Sequence, residues 1–227
     1  PLNAFSWEFR FDLLPTALLA LGLLLALRQR WALSGALLGL GAAAKWTPAL
    51  AVALLAVWLV AGRRWRPAWT HVLAFGAVFA GLHLPFLVWS PHHALYSYRY
   101  FNGQGVTGES IWYLLLAPLG RATVPLHQFY LPATVPDWSK SLTTAAQAVV
   151  MLALGVAVWR VRTSLRAGVA VAAMAPVLFL LLNRVFSPQY LVLMLVAWAI
   201  AGALLVERRV DQLVLGVAIM AATTANA

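Results

Sequence analysis

Lys45, Arg99 and Arg184 are the residues of this chain whose chemistry is most easily stated, because each is a cation set beside polar or aromatic neighbours on what the charge pattern makes one side of a membrane. Lys45 is the only charged side chain from Trp31 to Gly62, a run of 32 residues made almost entirely of Ala, Leu, Gly, Val and Trp. A charge at membrane depth costs several kcal/mol unless it faces protein, water or an anion, which makes it a site candidate. Arg99 sits in the loop from His92 to Trp112, where Gly103, Gly105 and Gly108 allow adaptation and the guanidinium fork suits phosphate or carboxylate. Arg184 belongs to the polar turn Asn183, Arg184, Val185, Phe186, Ser187, Pro188, Gln189, Tyr190, which holds more polar chemistry than a bare hairpin needs. A lipid-linked phosphate is an anion held at this depth, and charge-assisted bonds from such groups can fix it. Ser110, Ser187, Gln189 and Tyr190 carry hydrogen-bonding groups close to these cations in sequence.

Each candidate has a structural competitor. A lysine at a helix end reaches easily for lipid headgroups. Ser110 or Glu109 can cap the apolar segment that begins at Ile111, and the turn at Arg184 can be a hydrogen-bond cluster tying two helices together. Glu8, Arg10 and Asp12 alternate before the first apolar run and can serve as an ion-pair anchor or as part of the site. His83, His92 and His93 lack a carboxylate at helical spacing, so no metal site is expected. The loop glycines follow no strand and make no nucleotide fingerprint.

The elements that must position these residues follow from composition. The 227 residues are 63% hydrophobic and 10% charged, with a mean hydropathy of +0.84, far from the values of a water-soluble domain. Helix is the state that satisfies backbone groups in lipid. The expected architecture is an all-α polytopic transmembrane bundle, residues 1–227 forming a single domain. About 8 segments run from Leu13 to Leu27, Trp31 to Ala44, Thr47 to Ala61, Ala68 to Trp89, Leu142 to Trp159, Gly168 to Leu182, Tyr190 to Val206 and Leu213 to Ala227. The run around Lys45 exceeds the ~20 residues of one crossing, and Pro48 favours a turn there. Lys45 is thereby placed at a hairpin tip. Ile111 to Gly120 is too short to span and is expected as an interfacial or re-entrant helix in a long loop.

The net charge of +10 carries no basic run interleaved with aromatics in a polar segment, so it is read as topology and not as nucleic-acid binding. Arg28, Arg30, Arg63, Arg64, Arg66, Arg160, Arg162, Arg166, Arg208 and Arg209 fall in alternate loops, ten basic residues against six in the loops between them. Under the positive-inside pattern residues 1–12, the tip at Lys45, segment 90–141 and the loop 183–189 face outward. The inner loops are too short for a nucleotide site. With no cysteine, thiolate metal sites and disulfides are excluded.

RFDLLP at Arg10 to Pro15, SGALLGLGAAAKWTP at Ser34 to Pro48, Arg99 followed by GESIW at Gly108 to Trp112, and RVFSPQYL at Arg184 to Leu191 together resemble the GT-C glycosyltransferases of family 87. That group contains bacterial polyprenyl-phosphate-mannose-dependent mannosyltransferases and related arabinofuranosyltransferases. The resemblance implies a GT-C-like fold and metal-free transfer of a sugar, mannose first among the candidates. The donor would be a polyprenyl phosphate and the acceptor a lipid or glycan on the outer face of the bacterial cytoplasmic membrane. It implies no cofactor. It also implies an acidic base in a first outer loop, whereas Glu8 and Asp12 match the later RFD motif. The expected catalytic Asp is therefore placed on a preceding segment of a longer protein, with Glu109 as fallback. A transporter or lipid flippase is the alternative; it calls for internal repeats and midplane charges, and the charges here collect at helix ends. A shared anion site requires the Lys45 ammonium to lie within about 10 Å of Arg99 or Arg184, the scale of a Debye length.

Overall fold

A computed structural model describes residues 12–96, 105–123, 133–187 and 189–205, and all of the elements formed among them are helices. In chain order they are α1 (Leu13–Leu27), α2 (Trp31–Ala44), α3 (Pro48–Ala61), α4 (Trp65–Trp89), α5 (Pro91–Ala94), α6 (Ile111–Leu116), α7 (Trp138–Arg160), α8 (Leu165–Leu181) and α9 (Tyr190–Leu205). The expected segment Leu213 to Ala227 lies outside the described residues, as do Glu8, Arg10 and Arg99. The one pairing of extended backbone among the described residues is an isolated antiparallel bridge between Thr123 and Thr134.

The first four helices form a serpentine closed by two kinds of turn. At the ends of α1 and α3 the chain enters the left-handed region at Gln29 (φ 55°) and Arg63 (φ 57°). The next amide then reaches back five residues, Arg30 N to Leu25 O (2.8 Å) and Arg64 N to Leu59 O (2.8 Å). Both are helix-ending turns of the kind usually built on glycine. The turn between α2 and α3 is different: Lys45 is extended (φ −156°, ψ 121°) and Pro48 opens α3, where a missing amide hydrogen is harmless. The hairpin expected at Lys45 is thus present, and α3 begins at Pro48, one residue later than Thr47.

Small residues decide which helices touch. A Cβ on Gly35 would strike the His71 carbonyl, and one on Gly39 would lie 2.8 Å from the Phe75 carbonyl, so α2 and α4 run side by side with backbones in contact. Ser34, Gly35 and Gly39 form the small-residue stripe that permits this, as in closely packed membrane helices. Helices α3 and α8 form the centre, α8 packing on α1, α3, α7 and α9. Leu19, Leu23, Leu55, Leu59, Val169, Ala173 and Ala197 have no exposed surface in this core.

Two helices, α4 with 25 residues and α7 with 23, are long and apolar enough to cross a membrane. They lie at the periphery, with 0% and 11% of their most apolar stretches buried. Trp69, Leu73, Phe86, Val88 and Trp89 are each at least 60% exposed on α4. An apolar face of that extent is covered by lipid or protein and not by water. The remaining apolar helices have 14 to 17 residues, a length of about 21 to 26 Å against the ~30 Å of a hydrocarbon core. Three segments begin earlier than hydropathy alone suggested, α4 at Trp65, α7 at Trp138 and α8 at Leu165, because their first turns carry the polar residues that hydropathy excludes.

Candidate functional site

The antiparallel arrangement of α1 and α2 brings together two residues 33 positions apart. Lys45 Nζ donates to Asp12 Oδ1 in an ion pair whose side chains are 21% and 9% exposed, respectively. The turn at Arg28–Arg30 is nearly equidistant from both, 28 − 12 = 16 residues one way and 45 − 30 = 15 the other. Equal arms of a helical hairpin end at the same level. Asp12 heads α1, but its carboxylate caps no amide there; Thr16 Oγ1 donates to the Asp12 carbonyl (2.6 Å). The carboxylate is left for Lys45. Lys45, without another charged side chain between Trp31 and Gly62, thus has its charge met inside the protein by a carboxylate from outside that run and also by the Tyr190 ring, whose centroid lies 4.1 Å from Nζ.

Lys45 lines a cavity of about 580 Å³, within the ~300–1,000 Å³ of small-ligand sites. Its walls come from the end of α2 and the hairpin tip, from His83 of α4, from Thr143, Thr144 and Gln147 of α7, and from Asn183, Arg184 and Tyr190. Of the described residues lining it, Lys45 and Arg184 carry a formal charge and none is acidic. Lys45 and Arg184 thus line one cavity. The register of α2 on α4 sets the level: Gly35 meets His71 and Gly39 meets Phe75, an offset of 36.

Aromatic and amide contacts hold the walls. Trp46 meets Phe179 edge-on at 4.9 Å, anchoring the hairpin tip on α8. Gln147 Nε2 donates to Phe179 O (3.2 Å), joining α7 to the same residue. Phe186 meets Tyr190 edge-on at 5.8 Å beneath the loop. Segment 105–123 then clamps the Arg184 loop from outside. Thr107 N donates to Arg184 O (2.9 Å), Phe186 N donates to Thr107 Oγ1 (3.1 Å), and Trp112 Nε1 donates to Leu182 O (2.8 Å). These bonds fix the backbone at 182–186, from which Asn183, Arg184 and Val185 line the cavity.

The other candidates divide clearly. Ser110 is fully buried; its hydroxyl donates to Thr107 O (2.7 Å) and accepts from Tyr113 N (3.2 Å), so it caps α6. Glu109 is exposed and is not among the residues lining the cavity. Ser187 and Gln189 are half-buried beside Tyr190 and outside the lining; Ser187 O accepts from Tyr190 N (2.9 Å). Gln189 Oε1 is buried with no hydrogen-bond partner among the described residues. Ile111 to Gly120 becomes helical only through Leu116, ending in a turn at Gly120 (φ 66°). Among the described residues no cluster of three or more potential metal ligands exists.

Sequence reasoning did not single out Thr47, Thr143, Thr144 and Gln147, and it weighed His83 only as a metal ligand. Thr47 Oγ1 is buried without a partner among the described residues and faces this cavity region. Thr143 and Thr144 fall within four residues of Lys140 and Gln147 within seven, and both threonine hydroxyls donate to the Lys140 carbonyl (2.8 and 3.0 Å). A polar first turn on an otherwise apolar helix was the available signal.

Residues 10–188 match the family model described as glycosyltransferase family 87. Comparison with curated proteins and with solved structures returns no match.

Proposed function

The chain belongs to glycosyltransferase family 87, and from that premise we propose that it is a multi-pass enzyme of the bacterial cytoplasmic membrane with its cavity on the outer face. There it would transfer a hexose, mannose first, from a polyprenyl-phosphate donor to a lipid or glycan acceptor. The observation that carries this reading is the placement of Lys45 and Arg184 on one cavity with no acidic residue among its described lining. An anionic donor head is complementary to such a wall, and the apolar exposed helices suit a lipid carrier's solvent.

In the reaction proposed, an acceptor hydroxyl oxygen attacks the anomeric carbon from the side opposite the phosphate. The new C–O bond forms as the bond from the anomeric carbon to the phosphate oxygen breaks. The hydroxyl proton goes to a base, and polyprenyl phosphate leaves with the bonding pair. Lys45 and Arg184 meet the charge that grows on the leaving phosphate, and preorganised donors of this kind act most strongly where water is excluded. Asp12 holds the Lys45 ammonium at the hairpin tip, limiting its freedom to bend toward headgroups. Asn183 Oδ1 accepts from Val185 N (3.3 Å), which leaves its amide hydrogens for a sugar hydroxyl. The polar wall serves the donor half of the reaction. The base belongs to an acid outside the described lining, with Glu109 as the candidate within this sequence.

Orientation rests on the arginine turns. Trp58 Nε1 donates to Val161 O (3.1 Å), Gly62 lies against Arg162 O, and Arg64 covers the Trp58 ring, so the turns at 28–30, 62–64 and 161–164 share the end remote from Lys45. Positive charge favours the cytoplasmic side. The test is transfer of radiolabelled mannose from a polyprenyl-phosphate donor by the purified full-length protein. Arg184→Gln is expected to lower kcat/KM by about 10²–10³-fold, the scale for losing one preorganised donor at a developing anion. A wild-type protein that transfers no sugar from any polyprenyl-phosphate donor overturns the reading.

A further inference from the structure

The arginine end of the bundle carries a groove of its own. It lies between α3 and α7, has a volume of about 770 Å³, and is lined by Leu54 and Val57 on one side and by Met151, Leu152, Val156 and Trp159 on the other. Arg160, the last residue of α7, also lines it and is the one charged residue of the described lining. The groove is open at Gly155, where an added Cβ meets no atom within 4 Å. Leu152, Val156 and Trp159 are each more than half exposed. None of the lining is shared with the Lys45 cavity.

Two turns bring further charge to the Arg160 end. Gly62 lies against Arg162 O, and Trp58 Nε1 donates to Val161 O (3.1 Å), so the turn after α3 touches the turn after α7. Segments 62–66 and 160–166 hold Arg63, Arg64, Arg66, Arg160, Arg162 and Arg166 and no acid. Arg64 covers the Trp58 ring, while Arg63, Arg160 and Arg162 are exposed. Guanidinium forks pair with phosphate oxygens two at a time, and basic pockets at the cytoplasmic ends of membrane helices hold anionic headgroups. The ammonium of a zwitterionic headgroup would meet like charge here and find no carboxylate in either turn.

Length adds a second selection. From Ala148 to Arg160 the groove follows α7 for 12 residues, about 18 Å of helix against the ~15 Å of one hydrocarbon leaflet. A fatty acyl chain fits such a groove end to end, whereas a long isoprenoid overruns it. Trp159 stands next to Arg160, the position of an indole at the boundary between chain and headgroup.

We propose that the α3–α7 groove is a binding site for an anionic phospholipid of the phosphatidylglycerol class, one acyl chain lying over Gly155 and the phosphate held by Arg160 with the neighbouring arginine turns. That this lipid belongs to the inner leaflet rests on the orientation proposed above. Charge selects it over a neutral phospholipid, and groove length selects it over an isoprenoid phosphate.

The experiment places the full-length protein in phosphatidylethanolamine nanodiscs containing a phosphatidylglycerol with a diazirine in one acyl chain, and maps photocrosslinks by mass spectrometry. Labels are expected within residues 151–159, suppressed by excess unlabelled phosphatidylglycerol and not by phosphatidylethanolamine. Gly155→Leu places a better helix former in open space; by occupying the groove it should lower labelling about tenfold. Gly76→Leu on α4, equally unobstructed, should leave labelling unchanged. Arg160→Gln should reduce the preference for phosphatidylglycerol over phosphatidylethanolamine about fivefold, the weight of one basic residue near an anionic headgroup. Equal suppression by phosphatidylethanolamine marks an unselective lipid coat and overturns the proposal. Stronger suppression by decaprenyl phosphate than by phosphatidylglycerol makes the occupant an isoprenoid and also overturns it. So does a wild type without labels in 151–159, or a Gly155→Leu protein that labels normally. Sugar transfer enters none of these readouts, so an inactive wild type sinks the enzymatic reading alone, and a failed crosslink map sinks the lipid site alone.

Discussion

The two ends of the helical bundle are built from similar material and reach opposite states of packing. At the arginine end, Trp58 is fully buried, its indole donates to Val161 O, Arg64 covers its face at 4.7 Å, and Trp31 tilts against it at 6.1 Å. A Cβ added to Gly168 would sit 2.5 Å from the same ring. At the lysine end, Trp46 is 37% exposed and leans on Phe179 beside a cavity of about 580 Å³. Charge is handled differently as well. The arginines at the first end cover a ring or turn outward, while Lys45 is held by Asp12 and Tyr190 next to empty volume. One end is spent on holding helices together, and the other keeps a polar chamber open at the expense of packing. A tightly packed scaffold and a candidate ligand site are separated along the axis of α3.

That contrast predicts which changes cost stability and which cost only activity. Trp58→Ala is expected to destabilise by about 3–5 kcal/mol, the cost of truncating a fully buried aromatic, read as a large fall in thermal midpoint of the detergent-solubilised protein. A fall no larger than that of a surface substitution would mean that the arginine end is not the structural anchor. Ser110→Ala should lose about 1 kcal/mol, as for a helix cap, while transfer changes less than twofold once protein amount is normalised. Loss of transfer without loss of stability would return Ser110 to the substrate-binding residues. At the small end, Gln29→Gly and Arg63→Gly each relieve a left-handed residue and should stabilise by about 0.5–1 kcal/mol. A destabilising result would show that those side chains secure the arginine end by contacts worth more than the strain.

Much of the fold could be read from hydropathy and proline. The ends of α1 and α2 coincide with the apolar runs Leu13 to Leu27 and Trp31 to Ala44, and Pro48 marks the turn that carries Lys45. Where polar first turns precede apolar ones, as at Ser139 and Lys140 of α7, a hydropathy boundary falls too late. The site was half legible. Lys45 and Arg184 each stood out as cations with a cost, and their shared cavity follows from alternate turns facing one way. The Asp12 partner was hidden because an ion pair across 33 residues has no local signature. Only the equal arms about Arg28–Arg30 imply it, once both helices are granted. Ser110 carried both readings because a capping serine and a ligand serine share one local sequence; in the fold it is buried and caps α6. The threonines of α7 were missed because their role depends on which helix faces the chamber, a matter of packing.

The central claim is that the Lys45 ammonium serves the donor phosphate and that Asp12 serves Lys45. It is tested most directly by steady-state transfer and thermal stability of Lys45→Gln, Asp12→Asn and their double mutant in the full-length enzyme. The account predicts that Lys45→Gln leaves a partly buried carboxylate without its partner, costing about 3 kcal/mol, and lowers kcat/KM at least 100-fold. Pairing it with Asp12→Asn should restore most of the stability and none of the activity. A double mutant that recovers both, or a stable Lys45→Gln enzyme with near wild-type transfer, would show the ion pair to be a structural strut and contradict the account.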